Sequence, residues 1–141
     1  MTLQYSAVGI QNESHMATSI DDYWKDLERL QTSIAYSVWN CSLDLPVQLV
    51  SISEGGIGGW CLGGGDEHLR IYNEVVPEIP GKETEFLGEI CKEFNIHLIA
   101  QMVAKVPDLM PDRIFNVAFI IDPKGELIHT HIKTSFYQKE T

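Results

Sequence analysis

No segment of the chain is apolar over the roughly 20 residues that a bilayer-spanning helix needs. Its first thirty residues also lack a basic start followed by an apolar run. A soluble, cytoplasmic protein is therefore expected. Basic residues are scarce: ten Lys and Arg stand against twenty Asp and Glu, a formal charge of −10. That excess repels phosphate backbones and anionic lipid surfaces, which argues against nucleic-acid and membrane partners. Cysteine is scarce too. Cys41, Cys61 and Cys91 are odd in number and spaced by 20 and 30 residues, a pattern that fits neither a disulfide framework nor paired zinc ligands. Repeats, linkers and low-complexity segments are missing as well.

Apolar residues are not scarce. At 44% of 141 residues they suffice for the packed core of one domain. Leu3 to Gln11 has strand-like length and composition and ends at the polar cluster Asn12, Glu13, Ser14. From Ser19 onward, Ile20, Tyr23, Trp24, Leu27, Leu30, Ile34 and Val38 recur at spacings of three and four, which predicts an amphipathic helix of about five turns. Thr18 or Ser19 can cap it, and the aspartates that follow suit the positive end of its dipole. Val47 to Ile52 is a β-branched run that predicts a second strand, with Glu54 at its C-terminal end.

Seven of the eleven glycines then fall between Gly55 and Gly65, a stretch suited to a long shaped loop rather than to a helix or regular strand. Phe86, Leu87, Ile90, Cys91 and Phe94 predict a second amphipathic helix. Ile96 to Ala104 and Ile114 to Ile121 are near-continuous apolar runs, as in strands covered on both faces. The turn Asp122, Pro123, Lys124, Gly125 leads into Glu126 to Lys133, which predicts an antiparallel hairpin. The order is strand, helix, strand, helix and three strands, an α/β layer arrangement.

The hairpin reads Phe115, Asn116, Val117, Ala118, Phe119, Ile120, Ile121, Asp122, Pro123, Lys124, Gly125, Glu126, Leu127, Ile128, His129, Thr130, His131, Ile132, Lys133. It resembles the nitrilase and amidase superfamily of carbon-nitrogen hydrolases, in which an Asn-containing apolar strand, an Asp-Pro-x-Gly turn and a second strand lead to a catalytic lysine. By that match the lysine is Lys133. The family's catalytic glutamate ends an earlier strand, usually after proline, and the matching position is Glu54, here preceded by Ser53. The resemblance covers the chain from Leu3 onward. It implies an N-terminal half, residues 1–141 forming a carbon-nitrogen hydrolase domain incomplete at the C-terminus.

The fold expected is thus a partial α-β-β-α sandwich, a mixed sheet with two amphipathic helices on one side. Whole subunits of the family commonly pair into homo-oligomers. The first half alone should be poorly stable, aggregate, or need a partner segment.

The implied chemistry is hydrolysis of a small non-peptide amide, carbamoyl or nitrile compound, without cofactor. A glutamate in a largely dry pocket takes the proton of a cysteine thiol, and a lysine ammonium stabilises the oxyanion of the tetrahedral intermediate. The family's cysteine lies some tens of residues beyond the lysine, past the eight residues that follow Lys133, so the chain alone should be inactive. Glu140 is the candidate for the second glutamate that many members carry. Trp60 and the glycines, with Asn116, are candidates for walls of the substrate pocket.

Other readings stand beside these. A strand-end glutamate and a strand-closing lysine are, taken singly, most often solvated surface residues. Period-two alternation puts His129, His131 and Lys133 on one face, so a His-x-His metal site competes with an exposed rim, and no third ligand stands at a telling spacing. Cys91, and with it Cys41, reads as packing. Cys61 with His68 is a nucleophilic pair that the chain could complete alone. A phosphate loop is disfavoured, because the glycines lack both the Gly-x-Gly-x-x-Gly register and a Gly-Lys-Ser/Thr ending, and no amphipathic helix is expected directly after them. The rival to an enzyme is a truncated homologue that binds a small molecule or pairs with another subunit.

Overall fold

The computed structural model describes residues 4–60 and 66–134. Its elements are β1 (Ser6–Ile10), α1 (Ile20–Cys41), β2 (Val47–Ile52), α2 (Asp66–Glu74), α3 (Lys82–Phe94), β3 (His97–Lys105), β4 (Ile114–Ile121) and β5 (Leu127–Ile132). The strands form one sheet in chain order. β1, β2 and β3 pair in parallel, and β4 and β5 pair antiparallel. This is the expected mixed α/β sheet.

Register explains which face is covered. Val50 lies opposite Leu98, and Leu98, Ala100 and Met102 lie opposite Ile121, Phe119 and Val117. These side chains share one face and are buried, in a single core with Leu27, Leu30 and Ile34 of α1 and Leu87, Ile90 and Cys91 of α3. The two helices meet each other edge to face through Trp24 and Phe86, whose rings are 5.6 Å apart. The other face carries Ile99, Gln101, Asn116, Ala118 and Ile120. Here the expectation of strands covered on both sides fails for β4, whose buried residues alternate with half-buried ones. Its outer residues face a hollow instead of a second layer.

The helices begin and end where local chemistry requires. The Asp22 carboxylate accepts from the backbone N–H groups of Thr18 and Ser19 and from the Thr18 hydroxyl, closing the first turn of α1. The Lys25 ammonium and these Thr18 donors hold the Asp22 carboxyl well below the usual carboxylate range. In α3, Thr84 Oγ1 accepts from the Gly81 N–H at 3.0 Å, and Asn95 ends the helix in the left-handed region at φ 53°.

One helix is a correction. α2 starts directly after Gly65, where no helix was expected. Its residues are mostly polar and exposed, and Ile71 is the member that enters the core, so the apolar periodicity that announces α1 is absent. Among the described residues no helix is long and apolar enough to cross a membrane.

α3 and the β4–β5 turn touch through bare backbone. A Cβ on Gly88 would meet the Gly125 carbonyl oxygen at 2.6 Å, and one on Gly125, at φ +80°, would meet the Gly88 carbonyl oxygen at 2.8 Å.

Candidate active site

Strand direction brings the candidate residues to one end of the sheet. β2, β3 and β5 run the same way and β4 runs against them. The C-terminal tips of β2 and β5 and the start of β4 therefore share an edge, which places Glu54, Lys133 and Asn116 together. The backbone turns sharply after Glu54. The Gly56 N–H donates to the Ser53 carbonyl at 3.0 Å, and Gly55 takes φ +77° with Trp60 and Ser14 too close to admit a side chain. Across the sheet, the Lys133 N–H donates to the Asn116 carbonyl at 3.0 Å, extending the β4–β5 ladder to the lysine.

The side chains converge. Lys133 Nζ donates to Glu54 Oε1 at 3.2 Å and Asn116 Nδ2 donates to the same oxygen at 2.9 Å. Lys133 Nζ also lies 5.5 Å from the centroid of the Trp60 ring, over its face, a favourable cation–aromatic arrangement. The hollow they border has a volume of about 500 Å³. One end is polar, with Glu54, Gln101, Asn116, Lys133 and Thr134, and the wall is apolar, with Ile52, Ile99, Ala100 and Ala118. The Trp60 ring underlies the lysine. Glu54 is 47% exposed and Lys133 29% exposed, so the dry pocket expected around the glutamate is not closed by the described residues.

The loop after Glu54 is fixed from below. The Gly58 N–H donates to Asp26 Oδ2 at 2.9 Å, and Ala17 N–H donates to the Gly58 carbonyl at 3.0 Å. Asp26 is 5% exposed; its other oxygen lies 2.9 Å from His15 Nε2 and 3.5 Å from Arg29 Nη2. Gly58, at φ +68°, rests on the ring of Tyr23, and the Tyr23 hydroxyl donates to the Val103 carbonyl at 3.0 Å. Neither Asp26 nor Gln101 was singled out from the sequence. Gln101 is one polar residue within an apolar strand, and Asp26 is one of several acids on a helix.

His131 lines the hollow, opposite Ala118, and His129 lies opposite Ile120 on the same face. Both are exposed, and among the described residues no three His, Cys, Asp or Glu side chains group to hold a metal. Cys91 is fully buried, and burial, followed by the charge of Asp122, pushes its thiol up to about 12. Cys41, expected to pack, is the last residue of α1 and is exposed instead. Cys61 and Glu140 lie outside the described residues.

The carbon-nitrogen hydrolase family model matches residues 7–141. Among curated relatives, the chain is 38% identical over 55 residues to a formamidase of Bacillus cereus, covering 39% of this chain and 16% of that protein. It is 31% identical over 74 residues to an omega-amidase of Saccharomyces cerevisiae, covering 50% of this chain and 24% of that protein. The matched segments thus span only about a sixth and a quarter of the length of these two relatives. A crystal structure of a Saccharomyces cerevisiae member of branch 10 of the nitrilase superfamily superposes with a TM-score of 0.63 at 25% identity, over 86% of this chain and 41% of that one. An N-terminal amidase crystallised with a Gln-Gly peptide gives a TM-score of 0.71 at 18% identity, over 94% of this chain and 28% of that one, a likeness of fold. With the family model spanning nearly every residue and the sheet superposing on solved members, the chain belongs to the carbon-nitrogen hydrolase family.

Proposed function

We propose that this chain contributes the acid–base half of an amide-hydrolysing site, with Glu54 as general base, Lys133 as oxyanion stabiliser, and a cysteine nucleophile from sequence outside the described residues. The observation that carries the reading is the 3.2 Å contact of Lys133 Nζ with Glu54 Oε1 at the rim of a hollow sized for a small molecule. The names of the relatives, formamidase and omega-amidase, favour small non-peptide amides over nitriles and carbamoyl compounds.

Asn116 and Lys133 occupy Oε1, so Oε2 is the oxygen that takes the thiol proton. The sulfur then attacks the carbonyl carbon, and Lys133, a fixed positive charge, stabilises the negative oxygen that forms. Glu54 passes its proton to the nitrogen as the C–N bond breaks, and ammonia or an amine leaves a thioester. Water then gives its proton to Glu54 as its oxygen attacks that thioester, and the thiolate recovers the proton on leaving. In this reading residues 1–141 form an incomplete domain, Glu140 is a further acid–base candidate, and the complete subunits act in the cytoplasm as homo-oligomers.

The rival reading, a non-catalytic binding or pairing module, draws on the fact that neither described cysteine, Cys41 or Cys91, lines the hollow. Sequencing past Thr141 and assaying formamide and small aliphatic amides separates the two. An in-frame cysteine some tens of residues on, with turnover lost on its replacement and reduced about a hundredfold or more by Glu54→Gln, supports the hydrolase. An authentic stop with no turnover favours the module, and turnover by residues 1–141 that disappears with Cys61→Ser moves the nucleophile to Cys61.

A further inference from the structure

Gln101 sits in the middle of β3 with 6% of its surface exposed, and a buried amide is costly unless both its ends are bonded. Both are. Its Oε1 accepts from the Gly55 N–H at 2.6 Å, and its Nε2 donates to Asn116 Oδ1 at 2.8 Å. Asn116 Nδ2 in turn donates to Glu54 Oε1 at 2.9 Å. The bonds run from the residue after Glu54, through β3 and β4, and back to the Glu54 carboxylate.

The direction of this circuit is not arbitrary. A backbone N–H only donates, so Gln101 must turn its oxygen to Gly55 and its NH2 group to Asn116. Asn116 must then show Gln101 its oxygen, which leaves its NH2 group for Glu54. An obligate donor at one end and a carboxylate at the other set both amides. With Oε1 held in this way and by Lys133, no described residue bonds Oε2.

We infer that Gln101 is a positioning residue, one that fixes the orientation of the Asn116 amide and thereby selects which oxygen of Glu54 is anchored and which is left for proton transfer. The role in proton transfer rests on the reading of Glu54 as the base; the orientation of the amides does not. Replacing Gln101 by a side chain of similar length without an amide strips Asn116 Oδ1 of its donor, so the Asn116 amide is held at its NH2 end alone and its plane is no longer fixed. A glutamate at position 101 would go further, drawing the Asn116 NH2 group toward itself.

The test is a pH titration of the 15N-labelled chain, following the side-chain NH2 signals of Gln101 and Asn116. Both should move with one shared midpoint, and Glu54→Gln should abolish the movement. In Gln101→Met the Asn116 signals should shift and broaden, as an amide held at one end only rocks about that bond. Unchanged Asn116 signals in a folded Gln101→Met chain would overturn the inference. Should that variant not fold, Asn116→Val reads the circuit from the other end: the Gln101 signals should no longer follow Glu54, and persistence of their movement overturns the circuit.

In a form carrying the cysteine, Gln101→Met should lower kcat at least about tenfold with KM within about twofold. Wild-type kcat in that variant sinks the positioning role alone. Intact amide titration in a cysteine-bearing form without any turnover sinks the hydrolase reading alone.

Discussion

The Lys133 ammonium lies 3.2 Å from the Glu54 carboxylate although 79 positions separate them in the chain. Both are partly exposed, so the contact is worth little to folding, less than about 1 kcal/mol. Lys133→Met should therefore leave the urea midpoint of the chain nearly unchanged. In a form with the nucleophile present, the same change should lower kcat/KM by at least about a hundredfold. A large loss of stability with activity retained would make the pair a structural tie.

Gly58 has no room for a side chain. A Cβ there would lie 2.2 Å from the Tyr23 ring at a φ of +68°, so Gly58→Ala meets both a clash and backbone strain. The expected cost is about 2–4 kcal/mol, read as a lower denaturant midpoint. Gly9, with nothing within 4 Å of an added Cβ, is the control and should tolerate alanine.

Asp26 holds the same loop from α1. Asp26→Ala leaves the buried Gly58 N–H without its acceptor, at a cost of about 1–3 kcal/mol. Hydrogen exchange at the Gly58 amide should speed up more than exchange in β4, because the loop loosens locally before the sheet does.

The two described thiols should differ sharply. Cys41 is exposed and should react with a thiol reagent in the native chain, whereas Cys91 should react only on unfolding. The folded Cys91 thiol is pushed up to about 12 from its ordinary 9.0. Between those values the unfolded chain has lost a proton that the folded chain keeps, so this residue's contribution to stability falls as pH rises. The stability difference between wild type and Cys91→Ala should shrink above about pH 9; a constant difference would show that the thiol titrates alike in both states.

The cap of α1 should show the opposite slope. The Asp22 carboxyl is held below its ordinary 3.8, first by Lys25 and then by Thr18. Its contribution is complete above that value and fades as pH falls toward the folded one. Asp22→Asn should lower the melting temperature at pH 7 and converge on wild type in acid. Circular dichroism melts across that range check the sign.

Legibility in the sequence followed how much of each signal was local. α1 and α3 were readable because Leu27, Leu30, Ile34, Leu87 and Ile90 repeat on one helical face. The hairpin was readable because Asp122 to Gly125 has turn chemistry, with Asp122 Oδ1 accepting from the Lys124 and Glu126 N–H groups. α2 was not, since among its described side chains Ile71 is buried while Leu69 is exposed, too little of an apolar period to read. Lys133 and Glu54 emerged through resemblance to a family, because neither residue type is unusual at a strand end. Gln101 stayed hidden for a different reason: its function depends on three partners in one other strand and a loop, and a single amide among Ile99, Ala100, Met102 and Val103 says nothing of them. Trp60 was offered as a pocket wall, and its ring lies beneath the ammonium of Lys133, which borders the hollow.

The glycine pair sets how closely α3 can sit on the hairpin that carries Lys133. A methyl group at Gly88 or Gly125 would meet the other residue's carbonyl oxygen at 2.6 or 2.8 Å, so neither can gain bulk without the helix and the turn moving apart. The strand that delivers the ammonium to the hollow is thus docked, at its opposite end, by two missing side chains.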